Sequence, residues 1–272
     1  MWGERPIAGI TGAEVAGYHA RVLGRGLAAS TVNQARAIVH GIFALGVERF
    51  GVEPDVSAAF KRAKTRRATS DRISFYPPDE VMRLVEHAGS ELDAALFLTA
   101  AFTGLRASEL RALRWRSVDF GSSLVHVERG FTDEGGEDLP KSYRVRSVPM
   151  MPQVALALSQ LGRREFFTGD DEVVFASDVG DVLGYDRLAR RYRAAQERAG
   201  LRPLRFHDLR HSFGTMAVRQ FPITDVQTWM GHADIATTRK YIHYAPQPEA
   251  AARLGALVGE QLGRASGLQR AG

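Results

Sequence analysis

The sequence contains no cysteine, which excludes disulfide and thiolate-metal architectures and leaves the redox compartment undetermined. Long apolar runs are missing too. The longest, Ala94–Phe102, is interrupted by Thr99 and falls far short of the roughly 20 residues that span a bilayer. Met1-Trp2-Gly3-Glu4-Arg5 carries no apolar core of a secretory signal. Together these absences argue against a membrane partner and make the cytoplasm the default location. Lysine is scarce: among 36 basic residues only Lys61, Lys64, Lys141 and Lys240 are lysines. Arginine dominance suits phosphate, because the planar guanidinium donates two parallel hydrogen bonds.

With 272 residues, 44% of them hydrophobic and 25% charged, the chain can bury one large core or two ordinary ones. The net charge of +5 is modest, so its distribution matters more than its sum. The clearest break in composition is the stretch from Lys61 to Arg72, with six basic residues, one acid and no large apolar group. It cannot bury itself and reads as a linker. Its cations, Lys61, Arg62, Lys64, Arg66 and Arg67 among them, are either a solvated tether or a strap along a nucleic-acid backbone.

Before this break, residues 13–23 and 31–50 show helical patterning, with Thr11 and Ser30 as expected N-caps and Gly24 and Gly51 as expected stops. After it, helices are expected over 78–88, 91–103 and 108–115. Alternating segments at 123–128 and 143–150 then predict a small antiparallel sheet, with a glycine-rich acidic stretch, 132–138, between them. Helical patterns return at 153–161, 185–199, 208–219, 224–230 and 235–244, and the tail 248–262 sets Leu254, Leu257, Val258 and Leu262 on one helical face. No internal repeat is visible.

Several short motifs could carry chemistry. In Arg205-Phe206-His207-Asp208-Leu209-Arg210-His211, His207 and Arg210 share a helix face. An imidazole that moves a proton and a guanidinium that neutralises oxygen suit a phosphodiester. Such a pair also arises by chance in many helices. His207 and His211 have zinc-protease spacing, but Asp208 stands where that mechanism needs glutamate, so no metal site is expected. Gly231-His232 marks a helix end followed by a bend, and Tyr241 lies nine residues on. Arg106 sits at a glycine-marked turn opening a helix with Glu109, and Lys141 just before the second strand. Each alone reads better as an ordinary core or surface residue.

In combination they do not. Thr-Gly-Leu-Arg-Ala-Ser-Glu-Leu at 103–110, Lys141 ahead of Arg146-Ser147-Val148-Pro149, His-Asp-Leu-Arg-His at 207–211, Gly231-His232 and Thr-Thr-Arg-Lys-Tyr-Ile-His at 237–243 resemble the tyrosine recombinases, or phage integrases, over roughly residues 73–245. Gly-Leu-Ala-Ala-Ser-Thr-Val-Asn at 26–33 is more weakly similar to that family's helical core-binding domain. The resemblance implies a mainly α fold with a small antiparallel sheet. It divides the chain into a helical core-type DNA-binding domain over 1–60, a basic linker over 61–72 and an α+β catalytic domain over 73–272 with a tail helix at 248–262. The helical domain lacks an obvious first helix, and nothing ahead of it could bind distant arm-type sites. The chain is then either a minimal form or one that begins late.

The resemblance also implies roles. Arg106 and Arg210 clamp the scissile phosphate, and Tyr241 attacks it, leaving a 3′-phosphotyrosyl link and a free 5′-hydroxyl. Lys141 protonates the departing oxygen, His207 assists proton transfer from the tyrosine, His232 hydrogen-bonds a non-bridging oxygen and Glu109 positions Arg106. No metal or other cofactor is implied. The expected partners are double-stranded DNA and further copies of the chain, as a tetramer on DNA. Tyr244, one turn past Tyr241, is the alternative nucleophile, but the Thr-Thr-x-x-Tyr-x-His frame favours Tyr241. Two rival functions share this chemistry or its remains: a nicking-and-resealing topoisomerase, and a shortened DNA-binding relic without strand exchange.

Overall fold

A computed structural model of the chain describes residues 2–53, 55–64, 73–138 and 145–242. The chain divides into two compact units, Met1–Arg72 and Ile73–Gly272, each with its own core.

The first unit is helical. Helix α1 (Gly12–Gly24) opens on a capping box: the Glu14 amide donates to Thr11 Oγ1 at 3.3 Å and the Thr11 amide to Glu14 Oε2 at 2.9 Å. Helix α2 (Ala29–Phe50) stops where Gly51 turns left-handed. Ser30 is not its cap. Ala28 holds that position without a side-chain bond, and Ser30 lies inside the first turn. Val15 and Val22 from α1 and Val32, Val39 and Phe43 from α2 enclose a small core with Phe60. The chain stays attached beyond Phe60, since Asn33 exchanges two hydrogen bonds with the Ala63 backbone at 3.1 and 2.9 Å. Lys61, Arg62 and Lys64 are exposed there. Arg66, Arg67 and the rest of the expected linker lie outside the described residues, as does the tail 248–262.

The second unit is built on helix α4 (Glu91–Thr103), capped by Ser90 and buried from Ala95 to Thr103. A helix apolar on every side must be covered on every side, and its neighbours are α3 (Pro78–Glu86), α6 (Pro152–Leu161), α7 (Tyr185–Arg198) and α8 (Asp208–Ala217). The hydroxyls of Thr99 and Thr103 are satisfied within the helix, donating to the carbonyls four residues back at 2.7 and 2.6 Å. A short helix, α5 (Ala107–Arg111), follows the turn at Gly104.

The expected small antiparallel sheet is present, as β1 (Val118–Asp119), β2 (Leu124–Val127) and β5 (Arg146–Pro149) in that order. Val125 lies opposite Val118 and Val148. The acidic stretch read as a connection is itself partly a hairpin, β3 (Gly130–Thr132) with β4 (Gly136–Asp138). Arg111 pins it by bonding Asp133 and lying over the Phe131 ring, and Arg114 grips Glu137 at 2.7 Å. Helices α9 (Ile223–Met230) and α10 (Ile235–Arg239) close the described chain. The helix expected to run on to Tyr244 ends at Arg239, and Tyr244 lies outside the described residues. No described helix is long and apolar enough to cross a membrane.

Candidate active site

The site begins where α4 ends. Gly104 adopts φ +66°, and a Cβ there would overlap the Phe213 ring, so only glycine makes this turn without strain. The chain leaves it into α5 with Arg106 at the cap position. Glu109, one turn on, is buried and reaches back to the Arg106 amide at 2.7 Å and its guanidinium at 2.8 Å. Two further bonds reach the same carboxylate from Arg146 on β5, at 2.9 and 2.7 Å. Burial alone would raise the Glu109 carboxyl, but the Arg146 hydrogen bonds and charge, with Arg106, overcome it and hold the group at about 2.

The C-terminus of α9 provides the other half. Three successive carbonyls there, free of intrahelical partners, each hold a different arginine. Trp229 accepts from Arg146 Nε at 2.7 Å, Met230 accepts from Arg210, and Gly231 accepts from Arg106 at 2.7 Å. The negative end of the helix dipole faces these cations. Gly231 is left-handed at φ +61°, and a Cβ there would meet Arg146 Cζ at 3.0 Å. Arg210, 3% exposed, also donates to the Gly104 carbonyl. Burial, then the charge of Arg106, pulls it down to about 9. Three guanidiniums against one carboxylate leave a preorganised excess of positive charge, which a bound anion would relieve.

Tyr241 follows α10 and is 3% exposed. Its ring lies against α8 at Gly214, where a Cβ would come within 2.7 Å of the tyrosine Cζ. On another side it runs parallel to the His232 ring, at 6.3 Å and 11°. His232 is itself tied through Nδ1 to Thr238 Oγ1 at 2.9 Å, across the bend between α9 and α10. The tyrosine hydroxyl meets His211 Nδ1 at 2.9 Å, and His207 stands edge-on to His211 at 5.4 Å. Burial pushes the phenol up to about 12 against the opposing pull of Arg210. Burial and neighbouring cations pull His232 down to about 3, and His207 is lowered by burial and by Arg210. Burial and then His207 bring His211 to about 4. The phenol is therefore protonated and the imidazoles neutral at neutral pH.

Arg106, Glu109, His207, Arg210, His232 and Tyr241 thus share one site; Lys141 lies outside the described residues. Among the described residues no group of three or more histidine, aspartate or glutamate side chains could hold a metal ion. Sequence patterning gave no role to Arg146, His211 or Gly214. Arg146 did leave a trace, since strand alternation puts it on the same face as Val148, an inward-pointing charge that needs a buried partner. Gly214 and the three carbonyls of α9 left none.

The family model described as "Phage integrase family" matches residues 74–247. Tyrosine recombinase XerC of Xanthomonas axonopodis pv. citri (strain 306) is 30% identical over 225 residues, covering 80% of this chain and 69% of the relative. Tyrosine recombinase XerD of Bifidobacterium longum (strain NCC 2705) is 26% identical over 257 residues, covering 88% of this chain and 79% of the relative. Among solved structures, the Tn1549 transposon integrase in complex with transposon right end DNA superposes with a TM-score of 0.70 at 21% identity, over 94% of this chain and 88% of that one. A lambda integrase tetramer bound to a Holliday junction gives 0.64 at 20% identity, over 84% and 66%. With a family model covering well over half its length, and with Arg106 and Arg210 fixed in one site with a buried tyrosine, the chain belongs to the phage integrase family of tyrosine recombinases.

Proposed function

We propose that the chain is a site-specific recombinase that breaks and rejoins duplex DNA by transesterification, with Tyr241 as nucleophile. The observation that carries this reading is the pair Arg106 and Arg210, fixed by backbone carbonyls, in one site with a buried tyrosine hydroxyl. A phosphodiester gains negative charge as it is attacked, and donors fixed beforehand stabilise that charge without reorganising. Arg106 and Arg210 hold the non-bridging oxygens and His232 adds a hydrogen bond. Tyr241 Oη forms a bond to phosphorus as the bond to the 5′-oxygen breaks. His207 assists the proton transfer, and Glu109 keeps Arg106 in place. The phosphotyrosyl ester retains the energy of the broken linkage, so rejoining needs no external energy source.

Lys141 is the proposed general acid for the departing 5′-oxygen. Lys141→Ala should slow cleavage of ordinary DNA by about 10²–10³-fold, in the range of a lost proton donor. With sulfur at the 5′-bridging position the leaving group needs no proton, and the variant should cleave within a few-fold of wild type. Equal slowing on both substrates would remove Lys141 from this role.

Gly214 tests the seating of the nucleophile. Alanine suits a helix better than glycine by about 0.5–1 kcal/mol, so Gly214→Ala should fold. Its methyl would drive the Tyr241 ring off α8, and a misplacement of about 1 Å can cost on the order of 10²-fold in rate. Adduct formation at wild-type speed would show that the seat against α8 is not used on DNA.

The working assembly is proposed to be a tetramer on duplex DNA in the cytoplasm, with the linker cations Lys61, Arg62, Lys64, Arg66 and Arg67 along phosphates. The function itself is tested by following covalent adducts and strand exchange together, on a duplex selected from a random-sequence pool for binding to this chain. Both products are expected. Relaxation without exchange would make the chain a topoisomerase, and binding without adducts a relic.

A further inference from the structure

Among the described residues, the hydrogen-bond partner of the Tyr241 hydroxyl is His211, not His207, with Nδ1 at 2.9 Å. The two rings lie 5.7 Å apart. A carboxylate faces His211 from its far side. His211 Nε2 stands 3.8 Å from Asp208 Oδ1, and Asp208 is buried and fixed by the Arg205 amide at 2.9 Å and guanidinium at 2.8 Å. His207 packs edge-on against the same ring.

We propose that His211 is the base that takes the tyrosine proton during attack, and that Asp208 and His207 set its tautomer and orientation. This rests on Tyr241 being the nucleophile and adds the atom that receives its proton. As the Oη–P bond forms, the Oη proton moves to His211 Nδ1. The P–O5′ bond breaks, and the 5′-oxygen leaves as a hydroxyl with a proton from the general acid, Lys141 in the reading above. On rejoining, the 5′-hydroxyl attacks the phosphotyrosyl ester, its proton returns to the acid, and the imidazolium restores the proton to the tyrosine oxygen. Atoms and charge balance over the cycle.

The tautomer follows from the surroundings. A carboxylate on the Nε2 side favours a proton there, which leaves the Nδ1 lone pair free to face the hydroxyl. The charged and titratable groups around the ring are Asp208 and Arg210 on α8, His207 at its cap position, Arg205 just before it, His232 after α9 and Tyr241 itself. Burial with these cations keeps the imidazole unprotonated, which is the form a base requires. A phosphate seated between Arg106 and Arg210 offsets their charge and makes His211 more basic when substrate is present. The phenol becomes more acidic as its bond to phosphorus forms, so the proton crosses in the transition state.

The test uses His211→Ala and His211→Asn in the full chain, on a nicked duplex selected for binding to it. Asparagine keeps an acceptor near the position of Nδ1 but cannot carry the proton. Both variants should bind this DNA like wild type and form adduct about 10²-fold more slowly at pH 7. The wild-type rate should be level from pH 7 to 9, whereas the variant rates should climb about tenfold per pH unit as tyrosinate accumulates. Added imidazole should accelerate His211→Ala. An asparagine variant within about threefold of wild type, or variants slowed equally at every pH, would overturn the proposal. Tyr241→Phe run alongside separates the two claims, because adduct formed without that hydroxyl overturns the nucleophile assignment instead.

Discussion

Tyr241→Phe should form no covalent adduct with nicked DNA while still binding the duplex. The loss is complete rather than graded, because the phenol oxygen becomes part of the intermediate and nothing else on that ring can bond to phosphorus. Binding survives because the phosphate clamp does not depend on the hydroxyl. Arg106 and Arg210 are held by the carbonyls of Gly231, Met230 and Gly104, none of which the substitution touches. Folding should survive too. The phenylalanine ring fits the same seat against Gly214 and beside His232. The cost is the bond to His211 Nδ1, about 1–3 kcal/mol for a buried acceptor left unpaired. A denaturing gel of protein incubated with a nicked duplex reads the adduct, and a binding titration reads affinity. Adduct at wild-type level would place the nucleophile elsewhere, with Tyr244 first to be replaced.

The contrast between Tyr241 and its surroundings shows what sequence could supply. The helix carrying the turn to Arg106 was legible to the residue, because Ser90 caps it and Gly104 ends it, both through local backbone chemistry. The order of arginine, histidine and tyrosine motifs was legible as a resemblance. What held them was not. Arg146, Arg210 and Arg106 are fixed by the consecutive carbonyls of Trp229, Met230 and Gly231, and carbonyls carry no side-chain signature. His211 sat inside a recognised motif, yet its contact with Tyr241 spans 30 residues of sequence and depends on how α10 returns to α8. Ser30 is not the cap, and a serine two residues past the cap position looks the same in a pattern. The hairpin of β3 and β4 was hidden by short strands rich in glycine and acid. Arg111 and Arg114 reach it from outside its own strands, and β-propensity does not register such contacts.

Glu109→Gln should be the most destabilising single change in the site, and its effect should depend on pH. The carboxylate accepts four hydrogen bonds, two from Arg106 and two from Arg146, which uses all its lone-pair sites. An amide accepts at one end only, so its NH₂ would face guanidinium or backbone donors. Breaking a buried ion pair by removing one partner costs about 3–5 kcal/mol, and here both arginines lose their counter-charge. Attraction for DNA should not fall, since the site becomes more positive. Chemistry should fall, because Arg106 keeps only the Gly231 carbonyl and loses the group that aims it. Loss of one fixed donor to a developing oxyanion costs on the order of 10²–10³-fold in rate. The folded carboxyl sits at about 2, below its ordinary 4.5, so its contribution to stability is fully present above about pH 4.5 and is lost as pH falls through 2. Urea unfolding of wild type and variant at pH 7 and at successively lower pH should show a gap that is constant near neutrality and narrows from pH 4.5 towards 2. A gap unchanged across that window would mean that shape rather than charge holds the two arginines to Glu109.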